Sequence, residues 1–343
     1  MKPRPTLRDL AQLTGFHFTT IGLALRGDPR IRPETAREIH AAAQRLGYVK
    51  DAMLSALSTY RHDKHGHFAG VIGFLHTYDF LKEHRTNHRA RQSYEAAANR
   101  AREMGFKLEP IRVDTPGLTG ARLTAMLRAR GIRGLILAPL LPAPGPFLDL
   151  DWKHFATVAM GYSITAPELH RASFNQAYSM RKLLAELRAL GYQRIGLQLH
   201  PETNIRTKGN SLGAYLVDQY DLPARDRIPP FFEEKIVTSE FRAWIKKHRP
   251  DCLIVPIPAM LPRLLDMGYR IPEDFGLAIM SRDGEACKIA GIDEQSDLLG
   301  LSAVEFVVSL LQINQRGLPE YARYILVEGR WEWRPTVRAP AKA

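Results

Sequence analysis

A chain of 343 residues is too long for one ordinary core and calls for two or three compact units. Its 45% hydrophobic and 24% charged residues are those of a soluble globular protein, and two cysteines, Cys252 and Cys287, are too few for a disulfide framework. A formal charge of +12 raises the expectation of a polyanionic partner, because neutralising phosphates releases condensed counterions.

The charge is concentrated at the start, where residues 1–64 hold eleven Lys/Arg against six Asp/Glu. The opening MKPRPTLRDLAQL lacks the apolar run of a secretory signal, and no stretch approaches 18 consecutive apolar residues, so a cytoplasmic protein without a membrane partner is expected. Thr6 followed by Asp9 spells a capping box, Leu7, Leu10 and Ala11 recur at helical spacing, and Gly15 is placed to close that helix. A second short helix covers Thr19 to Leu25 with Ile21, Ala24 and Leu25 on one face. Pro33 and Glu34 open a third, whose stripe is Ile39, Ala42, Ala43 and Leu46. Two short helices joined by a turn and braced by a third make a helix-turn-helix, whose second helix can enter a major groove.

Residues 51–60 spell one further short helix and 61–67 an exposed linker. His62, His65 and His67 in that linker lack a cysteine or fourth ligand at closed-site spacing, so no metal is expected. From 68 onward short apolar runs alternate with amphipathic helices, and the rhythm restarts near 155 with FATVAMG. Such alternation predicts an α/β core of two lobes, each a doubly wound parallel sheet. The segment 297–316, with Val304, Val307, Val308 and Leu311, reads as a core or dimer helix. No dinucleotide or phosphate-binding glycine loop and no Gly-x-Ser-x-Gly elbow is present, so neither a cofactor nor a catalytic residue is expected. Glu233-Glu234 and Glu273-Asp274 sit in polar turns and read as solvated acids.

The run from Thr6 to Asp51 resembles the N-terminal domain of the lactose-repressor (LacI/GalR) family. The resemblance is carried by T-L-x-D-L-A, by Gly15, by T-I-x-x-A-L at 20–25, by R-I-x-P-E-T at 30–35 and by A-A-A-x-x-L-G-Y at 41–48. Looser matches follow in L-G-Y-x-R-I-G at 190–196, G-Y-R-I-P-E-D at 268–274 and the close from Trp331 to Val337. The resemblance implies a helix-turn-helix domain over 1–50, a hinge and linker over 51–67 and a periplasmic-binding-protein-like core over 68–338. Within that core, lobe 1 would take about 68–161 and 290–318, and lobe 2 about 162–289 and 319–338. It further implies a homodimeric regulator of transcription, a repressor, that binds double-stranded operator DNA and a small-molecule effector such as a carbohydrate.

Carried over by position, the base-reading residues are Phe18, Thr19 and Leu23. The phosphate contacts are Thr6, His17, Thr20, Arg30, Arg32, Thr35 and Tyr48, and the minor-groove residues of the hinge are Leu54 and Leu57. Phe18 and Leu23 can meet thymine methyls but make no bidentate bond to guanine. The effector residues are Tyr78, Asn175, Asn210 and Asp283. Asn210 stands where the family often has a clamping arginine, with Arg206 and Lys208 close by, and Ile257-Pro258 and Met280-Ser281 replace polar pairs usual in the family. The competing function is a solute-binding protein of the same core, which calls for an export signal and no DNA-reading helices.

Overall fold

The computed structural model describes residues 5–25, 30–46, 70–77, 88–140, 148–233, 239–282, 284 and 287–339. Three helices come first: α1 (Leu7–Thr14), α2 (Phe18–Ala24) and α3 (Pro33–Leu46). The capping box forms as the sequence predicts. Thr6 N–H and Oγ1 both donate to Asp9 Oδ2, at 2.6 and 2.8 Å, and Asp9 N–H returns a bond to Thr6 Oγ1 at 3.3 Å. Gly15 closes α1 at φ 72°, and its N–H donates to Ala11 O at 2.9 Å. Leu10, Ile21, Ala24, Ile39, Ala42 and Ala43 are buried together as a small separate core, the residues that helical spacing predicts.

The rest is two sheets. The first orders its strands β11-β5-β4-β3-β1-β2, all parallel: β1 (Gly70–His76), β2 (Phe106–Arg112), β3 (Gly134–Leu137), β4 (Ala156–Met160), β5 (His170–Phe174) and β11 (Tyr324–Val327). The second orders β12-β10-β9-β8-β6-β7: β6 (Ile195–Leu199), β7 (Phe231–Phe232), β8 (Cys252–Val255), β9 (Gly276–Arg282), β10 (Ala290–Asp293) and β12 (Arg330–Glu332). Among the described strands only β12 runs antiparallel to its neighbour. Helices α4 (His88–Glu103) and α11 (Ser296–Gln312) cover one face of the first sheet around Phe74, Val304 and Val307, while α5 (Gly120–Ala129) covers the other around Leu123 and Leu135. In the second sheet α6 (Gln176–Ala189) and α8 (Asn210–Tyr220) face α9 (Ser239–His248) and α10 (Met260–Asp266) across the strands. Both free cysteines are buried, and among the described residues no helix is long and apolar enough to cross a membrane.

The strand pairing corrects the expected lobe boundaries. FATVAMG, where the rhythm reads as restarting, lies in lobe 1, as the 68–161 expectation has it: Ala156–Met160 pairs with β3, and it is His170–Phe174, expected in lobe 2, that pairs in turn with β4 and belongs to the first sheet. The segment 161–169 between β4 and β5 carries no helix, and only a 3-10 turn, Trp152–His154, stands just before β4 among the described residues. The strand–helix rhythm therefore stalls inside the first sheet, and a stall reads like a restart. Likewise β10 belongs to the second sheet and β11 to the first. The chain thus passes between lobes at 175, 294–295 and 328–329. These three crossings are bonded to one another: Asn175 N–H donates to Val327 O at 2.7 Å, and Gln295 Nε2 to Glu328 O at 2.8 Å. The 297–316 helix, found as α11, is core.

One polar group inside lobe 1 ties stability to pH. His170 is 3% exposed, accepts from Arg323 N–H through Nδ1 at 3.1 Å and lies 3.3 Å from Gln315 Nε2. Burial, and then the Arg323 charge, push its imidazole below the ordinary value of 6.5; burial first, then Lys247, does the same at His248. The unfolded chain therefore takes up these protons first. Stability is full above 6.5 and falls as pH drops from there toward the lowered folded values. Thermal midpoints measured from pH 7.5 to 5 should show this decline, and His170→Asn, which keeps an acceptor for Arg323, should flatten it. A variant with the full wild-type slope would clear His170 of the effect.

Candidate functional site

Two surfaces carry the residues that the sequence singles out. On α2, Ile21 and Ala24 turn into the three-helix core, which leaves Phe18 and Thr19 exposed and Thr20 and Leu23 half-exposed on the other side. Phe18 is 56% exposed, unusual for a residue of that size. His17 caps the helix, its Nδ1 accepting from Thr19 N–H at 3.4 Å and lying 3.0 Å from Thr19 Oγ1, and its ring rests 4.1 Å from that of Phe18. Arg30 and Arg32 are exposed and Thr35 half-exposed. Thr6 fits its expected role poorly, because both of its donors are engaged by Asp9. Tyr48, Leu54 and Leu57, like the three linker histidines, lie outside the described residues.

The second surface is a cleft of about 570 Å³ at the carboxyl ends of the strands of both sheets, where open α/β sheets bind ligands. Lobe 1 supplies a mainly apolar wall of Phe74, Pro139, Met160, Tyr162 and Phe174. Lobe 2 supplies Gln198 and His200 from the end of β6, Glu233 after β7, Ser281 from β9 and Arg206 from α7 (Pro201–Arg206). Arg206 is half-buried with no hydrogen bond or ion pair among the described residues, and burial, opposed by Glu202, lowers its pKa.

Both rims are bridged. At one, Arg89 Nη1 of α4 lies 3.1 Å from Glu294 Oε2 and also donates to Ser281 Oγ, which in turn donates to the same carboxylate oxygen. Burial raises the Glu294 pKa against the opposing pull of Arg89. At the other, Lys208 Nζ of lobe 2 stands 3.7 Å from Glu168 Oε1 of lobe 1, and Asn210 Nδ2 donates to Tyr162 Oη at 3.4 Å. The Tyr324 hydroxyl donates to Glu168 at 2.7 Å and is the main cause of that carboxyl's lowered pKa.

Several expectations change here. Asn175 is not among the cleft-lining residues: it caps α6 by accepting from Tyr178 N–H at 3.2 Å. Asn210 reaches the cleft only through Tyr162, while Tyr78 and Asp283 lie outside the described residues. Glu233, expected as a solvated acid, is 9% exposed. Arg282, 2% exposed, is a structural residue, donating to Ile289 O at 3.0 Å and Cys287 O at 2.8 Å. Arg89, Gln198 and Glu294 were not singled out. Gln198 had a legible signal, a polar residue near the carboxyl end of an otherwise apolar strand, IGLQL. Among the described residues no group of three or more His, Cys, Asp or Glu is placed to hold a metal.

No protein-family model matches the chain, and no curated protein matches it by sequence. Solved structures do match. A transcriptional regulator, CelR, in complex with cellobiose aligns over 97% of this chain and 100% of its own at 16% identity, TM-score 0.56. The Lac repressor dimer bound to operator and the anti-inducer ONPF aligns over 98% and 100% at 17% identity, TM-score 0.53. The fold is that of the LacI-family regulators. A LacI-family regulator from Rhizobium etli shares it over 78% of this chain and 99% of its own, at 15% identity and TM-score 0.56. In this LacI-type fold the cleft lies between the two lobes, and the three N-terminal helices precede the first of them.

Proposed function

We propose that the protein is a DNA-binding regulator of transcription, a repressor, whose grip on operator DNA is set by a small molecule held between the lobes. One observation carries this reading. Helix α2 anchors Ile21 and Ala24 in its own small core and presents Phe18 and Thr19, with Thr20 and Leu23 beside them, to solvent. A seven-residue helix with one face anchored and the other exposed is what major-groove reading requires. The structural likeness to a repressor dimer on its operator, and to a regulator with a bound disaccharide, supports the same reading.

In this proposal two copies meet a twofold operator, as helix-turn-helix half-sites demand. Phe18, Thr19 and Leu23 face bases, and Thr20, Arg30, Arg32, Thr35 and Tyr48 face phosphates. Leu57, supported by Leu54, wedges the minor groove. A binding role needs neither a nucleophile nor a cofactor, so the protein is proposed to be a binding protein and not an enzyme.

Binding of a pseudo-palindromic duplex from the gene's own upstream region, followed by fluorescence anisotropy across a salt series, tests the proposal. Affinity should fall steeply with salt, and Arg30→Ala with Arg32→Ala together should reduce the slope of log K against log salt by about 2. An unchanged slope would remove both arginines from the phosphate set. Failure to bind any duplex would favour a solute-binding protein.

A further inference from the structure

The hydrogen-bonding groups of the cleft are unbalanced in one direction. Gln198 and Glu233 are 3% and 9% exposed. Gln198 Nε2 donates to Glu233 Oε2 at 3.1 Å, which leaves Gln198 Oε1 and Glu233 Oε1 without partners among the described residues. Gln176 Oε1, in the first turn of α6, is a third such acceptor. The hydroxyls of Ser173 and Ser179 are also unpartnered and can donate or accept. All five residues line the cleft. Three pure acceptors, one of them a carboxylate oxygen, thus belong to residues that line one cleft, and no described cation lies within ion-pairing distance of Glu233. A buried carboxylate is costly unless a cation or several donors meet it. Arg206 faces the same cleft but makes no ion pair with Glu233, so its donors remain available to oxygen atoms of a ligand. Across the cleft, Phe74, Tyr162 and Phe174 offer a surface for a carbon face.

We propose that the cleft takes a small hydroxylated ring compound bearing a protonated primary amine, with the ammonium held between Glu233 and Gln198. This rests on the reading of the cleft as an effector site and adds the class of effector. A neutral polyol fills the acceptors but leaves the carboxylate uncompensated, whereas an ammonium supplies three donors and the missing charge.

The test is calorimetric titration of the full chain with matched pairs that differ by one group, glucosamine against glucose and galactosamine against galactose. The amine of at least one pair should bind about tenfold or more tighter than its hydroxyl partner. Glu233→Gln should erase that ratio, while Glu233→Asp, which keeps the charge, should retain a preference for the amine. Thermal melts of both variants report whether they fold. Equal binding within both pairs, or a preference that survives Glu233→Gln, overturns the amine assignment and leaves the effector site standing. Absence of binding by all four compounds overturns both.

Discussion

Gly300→Ala is expected to lower the thermal midpoint of the core by roughly 10 °C. Gly300 lies mid-helix in α11, where glycine normally weakens a helix relative to alanine. Here the added Cβ would stand 1.9 Å from the backbone carbonyl oxygen of Ser93 on α4. The two helices are already locked at that point, since Ser93 Oγ donates to Ser296 O at 2.7 Å. A backbone carbonyl cannot swing aside like a side chain, so the helices must separate and part of the packing around Val304 and Val307 is lost. Overpacking commonly costs about 1–3 kcal/mol, and a backbone obstacle belongs at the upper end. For a core of this size about 3 kcal/mol corresponds to the stated shift. Gly213→Ala is the matched control: its Cβ meets nothing within 4 Å, so α8 should gain slightly or stay unchanged. Similar midpoints for the two variants would mean that α4 and α11 do not approach as described.

Ile21→Asp is expected to abolish DNA binding while the two-lobed core keeps its melting transition. Ile21 is fully buried among Leu10, Ala24, Ile39 and Ala42, in a core of six buried side chains among the described residues. So small a unit is marginal. A buried carboxylate there, with no cation among those neighbours, costs on the order of 3–5 kcal/mol, enough to unfold the three helices. Circular dichroism should show a partial loss of helix, and the salt-dependent anisotropy signal should vanish. Thr19→Ala separates folding from recognition, because Thr19 is exposed and should alter affinity without altering the melt. Full DNA affinity in Ile21→Asp would detach α2 from the proposed function.

The N-terminal helices were legible because each depends on local chemistry. Thr6, Asp9 and Gly15 set their own backbone geometry, and Ile39, Ala42 and Ala43 fall on one face whatever the rest of the chain does. The strands were legible for the same reason, as short apolar runs. Their assignment to sheets was not, because β5 and β11 lie about 150 residues apart in sequence and pair through space alone. Buried charges were hardest to see. Arg171 is 4% exposed, donating to the carbonyls of Gly161 and Ile164 while its charge sits 5.5 Å from the centre of the Tyr162 ring; no spacing rule announces such a partner set. Glu233, in FFEEK, has the local composition of an exposed turn. Its burial comes from the segment's place beside β6, the strand that carries Gln198.

The three passages between lobes meet as neighbours joined by hydrogen bonds at Asn175 and Gln295. Adjacent tethers of this kind resist twist and slide but leave one soft rotation, like the spine of a book. In the proposed reading, whatever fills the space between the covers is felt by the rest of the molecule as a single angle, with the Lys208–Glu168 pair as a clasp across the lobes and the Arg89–Glu294 pair beside the spine.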